Sequence, residues 1–287
     1  MKKIDNRAWL LVLPAVTLLV FVGLIPILTV VNYSLHDIFT LPDKYWVGFE
    51  WYSEIIRSDR FHGSLLRSLG FSAVVLCIQV PLGIAIALAL PRKGFMVSVC
   101  LVVLALPLLV PWNMIPIMWL SLLNKEVGLL ATILQSTVGF TLDWKFNALH
   151  TWIVIVIMDT WHWTSLVVIL CYSSLTTIPE SYYRAAAIDS ANKWQVFRHI
   201  QLPSMQKVLL MIFLLRFIDS FMIYTEAFRI NAGGPRESTM FLAIDLGQDI
   251  AAFNYGPSAA RSVIYFLLIL TVAWAFNTAL SSRERIR

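Results

Sequence analysis

Apolar residues in this chain neither alternate nor recur every third or fourth position. They run in long stretches, at roughly 9–31, 69–90, 95–123, 149–173, 205–230 and 262–280. A helix needs about 20 apolar residues to cross the hydrocarbon of a bilayer, and the pattern predicts six such helices. The first run follows Met1, Lys2, Lys3 and Arg7, as a secretory signal would. It is too long for a signal core and no small-x-small cleavage site follows it, so it is read as a retained span. Polar stretches at 32–68, 124–148 and 231–261 separate the runs on one side, and 174–204 is the one long stretch on the other.

Composition agrees with this pattern. The 287 residues are 59% hydrophobic and 14% charged, with a mean hydropathy of +0.74, whereas soluble domains run about 45–50% apolar and about 25% charged. A water-facing core cannot hide that much apolar surface, so membrane lipid must be part of the solvent. The net charge of +5 would suggest nucleic acid in a soluble chain. Here basic residues collect at the inner ends of spans, and no basic cluster sits on a polar domain, which excludes a nucleic-acid partner. Cys77, Cys100 and Cys171 fall inside apolar runs without metal-ligand spacing, so neither disulfide nor zinc site is expected.

Charge also sets the expected orientation. With the N-terminus inside, the inner segments hold 12 Lys and Arg against 9 outside, and 4 acids against 10. Short inner loops weigh most in this rule, among them Pro91-Arg92-Lys93-Gly94. Both termini are therefore expected in the cytoplasm, and 174–204 with them.

That inner segment holds short amphipathic helices by its own chemistry. Pro179 suits a helix start, and Ala185 to Ala187 are strong helix formers. Ala187, Ala191 and Trp194 make an apolar stripe that continues around Phe197, and Pro203 is expected to break the chain before the fifth span. Such helices could lie in the lipid interface. Their short length and mixed charge, with Glu180 and Asp189 beside Arg184, favour a protein partner instead.

The order Ala185-Ala186, Ile200, Leu202-Pro203 resembles the EAA loop of ABC-transporter permeases, with Asp189 and Ala191 fitting its sugar-permease version. Arg184 stands where that family usually has Glu, and Ser190 where it usually has Gly. Three further segments resemble maltose-type carbohydrate permeases: Val47-Gly48-Phe49-Glu50-Trp51-Tyr52, Asn231-Ala232-Gly233-Gly234-Pro235 with Ser238-Thr239, and Phe253 to Ala260. The resemblance implies an all-α membrane protein, a six-transmembrane-helix permease bundle of a type I ABC importer, forming one domain over 1–287. It implies a cytoplasmic coupling helix seated on an ATPase through Tyr183, Arg184, Ala185, Ala186, Asp189, Ser190, Ala191, Phe197, Leu202 and Pro203. It also implies a second homologous permease, an ATPase dimer, an extracytoplasmic solute-binding protein and a carbohydrate substrate, in a bacterial inner membrane. Arg184 cannot make the family's Glu contact, and Ser190 would be strained in a glycine turn.

The chain has no G-x-x-x-x-G-K-[ST] phosphate loop, so Mg-ATP is expected on the partner ATPase and no cofactor on this chain. Nor does it carry H-E-x-x-H or G-x-S-x-G, and an enzyme is not expected.

Ionisable residues inside spans are costly and each needs a reason. Asp159, His162 and Trp163 share a face of the fourth span, with Trp161 beside them. Carboxylate and imidazole can bond sugar hydroxyls and indole can stack on a pyranose; alternatively Asp159 and His162 satisfy each other. The fifth span carries Arg216, Asp219, Tyr224 and Glu226. Arg216 and Asp219 can neutralise each other at i, i+3, while Asp219 and Glu226 line either a pathway or a permease interface. In the third span Pro107, Pro111 and Pro116 free the carbonyls of Val103, Pro107 and Trp112. That makes Trp112 and Asn113 candidate cavity residues, or marks a packing kink. Trp9, Trp46, Trp51 and Trp144 suit interfacial belts. Two other classes remain open: a proton-coupled secondary transporter with Asp159, His162 and Glu226 as a relay, and an intramembrane enzyme.

Overall fold

The computed structural model describes residues 8–39 and 43–284. Lys2, Lys3, Arg7, Arg285 and Arg287 of the charge count lie outside the described residues, as do the side chains of Trp9 and Arg283. In chain order the elements are α1 (Ala8–Leu19), a π-helical turn (Val20–Leu24), α2 (Ile25–Tyr33), β1 (His36–Ile38), β2 (Lys44–Trp46), α3 (Glu50–Arg57) and α4 (Asp59–Ala89). Then follow α5 (Phe95–Leu109), α6 (Met114–Leu122), α7 (Leu129–Val138), α8 (Ala148–Thr176) and α9 (Glu180–Ile188). The chain ends with α10 (Lys193–Val196), a second π-helical turn (Phe197–Gln201), α11 (Leu202–Phe221), α12 (Thr225–Asn231), α13 (Leu242–Ala251) and α14 (Tyr255–Glu284).

Five helical stretches are long and apolar enough to cross a membrane: Leu11–Tyr33, Asp59–Ala89, Ala148–Thr176, Lys193–Asn231 and Tyr255–Phe276. The expected third span, 95–123, is instead two helices, α5 and α6, bent by 100° at a break. Pro111 explains the break. A residue before proline is driven out of the helical region, and Val110 sits at φ −74, ψ 124.

The expected break at Pro203 does not occur. The backbone widens into the π turn just before it, with Leu202 N donating to the Phe197 carbonyl, and α11 continues. The same device precedes Pro26, where Ile25 N donates to Val20 O. Moving the preceding carbonyls outward relieves the clash that a proline ring makes with the carbonyl four residues earlier. The polar segments are also more ordered than a loop reading implies, holding α3, α7, α13 and an antiparallel pair, β1 with β2, in register His36 to Trp46.

The chain forms two compact units. The first comprises residues up to His62 together with Leu246–Trp274. In it Gly256 lies against the hairpin and α3, where an added Cβ would sit 2.3 Å from the His36 carbonyl oxygen and 2.9 Å from Trp51 Nε1. This joins two of the segments singled out from sequence, Trp51-Tyr52 and Tyr255-Gly256. Ser34 Oγ and Tyr52 OH share a 2.6 Å hydrogen bond, and Arg261 pairs with Asp249 at 2.9 Å.

The second unit comprises Gly63–Asp245 with the residues after Trp274. Its centre is α8, started by Asn147, whose side chain accepts from Leu149 N and His150 N. Two apolar clusters pack along it. One contains Phe71, Val75, Ile115, Val154, Met158, Ile223, Ala227 and Phe241; the other contains Ala87, Val167, Cys171, Met205 and Ile212. Gly83 of α4 sets its close approach to α8, since a Cβ there would lie 2.4 Å from Val167 Cγ1.

Candidate functional site

Both broken helices flank α8. Before their breaks α5 and α11 pack against it, and after their breaks α6 and α12 do so. The first break, Val110 to Asn113, has a proline. The second, Met222 to Tyr224, interrupts the expected fifth span 205–230 without proline or glycine nearby. It is held from outside, because Ile223, Ala227 and Ile230 are buried in the first apolar cluster. Non-helical backbone at membrane depth is tolerated where it is buried in protein or lines a cavity.

Between the two apolar clusters, α4, α8 and α11 each contribute polar residues to one network. Gln79 Nε2 donates to Asp159 Oδ2 at 2.6 Å, and Arg216 Nη2 donates to the same oxygen at 2.7 Å. Arg216 Nε donates to Gln79 Oε1 at 2.9 Å and Nη1 to Asp219 Oδ2. The guanidinium also lies 4.6 Å from the centre of the Trp163 ring, within cation–π range. Arg216 is fully buried, and the side chains of Asp159 and Asp219 are 3% and 32% exposed.

One of the two expected pairs forms and the other does not. Asp159 is not satisfied by His162, whose Nδ1 donates to the Pro107 carbonyl at 2.8 Å. That carbonyl is one of those named as freed by proline, and it belongs to Pro111's missing N–H. Arg216 and Asp219 do pair at i, i+3 as expected, and Arg216 bonds Asp159 as well. Among the described residues no hydrogen bond directly joins Asp159, His162 and Glu226. Gln79 went unnoticed in the sequence, where a single amide inside an apolar run carries little signal.

A cavity of about 110 Å³ opens at the two breaks. Trp112 reaches it from the first break, Asp159 and Trp163 from α8, and Asp219 from α11. Tyr224 and Glu226 reach it from the second break and α12. Asp219 and Glu226 thus meet through the break, not through the helical period expected of them. Trp112 and Trp163 are tilted toward each other with ring centroids 6.1 Å apart. Three expected residues lie elsewhere: His162 turns toward α5, Trp161 packs edge-on against Trp119 in the apolar core, and Asn113 is exposed at the start of α6. Among the described residues no His, Cys, Asp and Glu group could hold a metal ion.

The second candidate region is Glu180 to Pro203. Helix α9 ends in a Schellman turn, with Ala191 N bonded to Ala186 O at 2.9 Å and Ser190 N to Ala187 O at 3.2 Å. Ser190 has φ 52, so the left-handed turn forms although glycine is absent. The turn divides the expected Ala187–Ala191–Trp194 stripe. Ala186 is the buried position, Ala185 and Ala187 are exposed, and Trp194 instead packs on Phe197 at 5.4 Å. Asp189 caps α9, and an Asn192–Gln195 capping box starts α10. Leu202 and Pro203 border an apolar groove with Phe213. Exposed Arg184 bonds Glu180 at 3.2 Å, Glu180 also bonds Lys93 at 2.5 Å, and Arg92 lies 4.1 Å from the Tyr183 ring. The bonds from Lys93 and then Arg184 hold the Glu180 carboxyl below the ordinary glutamate value.

Residues 79–286 match the family described as the inner membrane component of binding-protein-dependent transport systems. The chain belongs to this family. Within it, the chain is 27% identical to the trehalose/maltose transport system permease protein MalF of Thermococcus litoralis, over 92% of this chain and 90% of that one. It is 28% identical to the diacetylchitobiose uptake system permease protein DasB of Streptomyces coelicolor, over 78% and 70%. Its fold matches a chain of a bacterial ABC transporter that imports the acidic polysaccharide alginate, with a TM-score of 0.82, 17% identity, and coverage of 97% and 96%. The chain is thus an all-α, multi-pass member of the importer-permease fold.

Proposed function

We propose that this chain is one permease subunit of an ATP-driven saccharide importer in a bacterial inner membrane. The observation that carries the reading is the placement of both helix breaks beside Asp159 and Trp163, which gives a polar, aromatic cavity at membrane depth. The cargo named for the two relatives, trehalose/maltose and diacetylchitobiose, supports a saccharide. Carboxylates accept from sugar hydroxyls, and the indoles of Trp112 and Trp163 offer flat apolar faces.

The cavity, about 110 Å³, is smaller than the about 300–1,000 Å³ that usually encloses a ligand. A second permease completes the wall. An ATPase dimer, binding Mg-ATP, supplies the energy, and a solute-binding protein delivers cargo from outside. Both termini lie in the cytoplasm, so that α9, the Ser190 turn and α10 meet the ATPase. Tyr183 to Ala191 form that contact, and Phe197, Leu202 and Pro203 transmit its movement into α11.

Reconstitution in proteoliposomes tests this. Purified with its co-purifying subunits, the chain is expected to support saccharide uptake driven by ATP and stimulated by the binding protein. Uptake driven by a pH gradient without any ATPase would overturn the reading in favour of a proton-coupled transporter.

A further inference from the structure

Among the described residues, the wall that this chain gives the cavity carries three carboxylates, Asp159, Asp219 and Glu226, and no Lys, Arg or His. The neighbouring guanidinium of Arg216 is fully buried, and each of its three nitrogens donates to one of Gln79, Asp219 and Asp159. Trp163 covers its face. Arg216 therefore has no free fork with which to receive an acidic ligand. Glu226 differs from the other two acids. It is 8% exposed and lines the cavity, and among the described residues no hydrogen bond to its carboxylate is found. It is left to meet whatever enters. Like charges brought together where water is scarce repel far more strongly than in bulk solvent.

We infer that the cavity admits uncharged saccharides and protonated amino sugars but rejects anionic ones, with Glu226 setting this selection. The inference rests on the saccharide reading above and names its charge class. It separates this chain from the alginate importer whose fold it shares, because a uronate carboxylate would meet only carboxylates on this chain's side of the cavity. Sugar hydroxyls, in contrast, can donate to Glu226, and an ammonium can pair with it.

The test is equilibrium binding to the purified permease–ATPase complex without its binding protein, so that only the membrane site selects. The probes are cellobiose, chitobiose with free amines, and cellobiouronate. The expected result is binding of the first two, with the uronate at least about tenfold weaker, and a narrower gap in Glu226→Gln. Uronate binding as tight as cellobiose overturns the inference and leaves the saccharide reading standing. A second measurement does not depend on the cargo. Quenching of Trp112, taken as the difference between the complex and its Trp112→Phe variant, is expected to be stronger with caesium than with iodide. Iodide quenching equal to or above caesium overturns the inference. Failure of all three disaccharides to bind, with no ATP-driven saccharide uptake, overturns the saccharide reading itself, while the quenching order still decides the sign of the charge selection.

Discussion

Asp159 of α8 and Arg216 of α11 meet at 2.7 Å with both side chains essentially out of contact with solvent. They sit where the two apolar clusters part, beside both helix breaks, and Gln79 and Asp219 complete the set. The pair ties the two helices together at the level of the cavity. Removing one member of a buried ion pair costs about 3–5 kcal/mol because the other charge is stranded. Arg216→Gln alone should therefore lower the thermal stability of the purified complex strongly. Asp159→Asn combined with Arg216→Gln should lose less than the sum of the two single changes. A strictly additive double-mutant cycle would remove the coupling between them.

Ser190 occupies the left-handed region at φ 52. An L-residue there is disfavoured by about 1–2 kcal/mol, and glycine avoids the strain. Ser190→Gly should raise the melting temperature of the complex without loss of uptake, and Ser190→Val should lower it. A Gly variant no more stable than the parent would mean that Ser190 gains a compensating contact when the ATPase is bound.

Gly83 and Val167 touch across α4 and α8. Val167 is β-branched and stiff, and its Cβ would lie 2.7 Å from the added atom, so a side chain at 83 must push the helices apart. Overpacking of this kind costs about 1–3 kcal/mol. Gly83→Val should destabilise the protein, and Val167→Ala should restore part of the loss. Equal stability of Gly83→Val and parent would contradict the packing.

How much of this was legible in the sequence depended on how local each cause was. The apolar runs mark most spans directly, but 95–123 reads as one continuous span, and its three prolines do not by themselves tell which one breaks it. The break at Met222–Tyr224 left no local mark, since it comes from burying Ile223 and Ala227 against other helices. For the same reason Asp219 and Glu226 share a cavity through the break and not through a helical period, and Gln79 joins the network without a local signal. The π turn before Pro203 is not legible locally, because a proline permits two outcomes, a break or a widened turn. The turn at Ser190 shows that fold context can impose a conformation that the residue type disfavours.

Glu180 is held below the ordinary glutamate value by Lys93 and Arg184. A lowered folded value means that its contribution to stability is present above the unfolded value and is lost as pH falls through the folded one. The difference in stability between the parent and Glu180→Gln should persist at neutral pH. It should disappear only below the ordinary glutamate range, and shrink in high salt because the pairs are exposed. A difference that vanishes already near neutrality would mean that the pairs do not form in solution.

The proposed function depends on passage of cargo through the cavity between the helix breaks. Trp112 tests it with least damage to the fold, because it lines the cavity while remaining 55% exposed. The decisive measurement is saccharide uptake by proteoliposomes carrying the complete importer with Trp112→Ala, alongside ATP hydrolysis stimulated by the binding protein. Uptake is expected to fall about tenfold, the equivalent of about 1.4 kcal/mol, with the complex intact and ATP hydrolysis retained. Normal uptake in Trp112→Ala, and again when Tyr224→Ala is added, would place the pathway elsewhere.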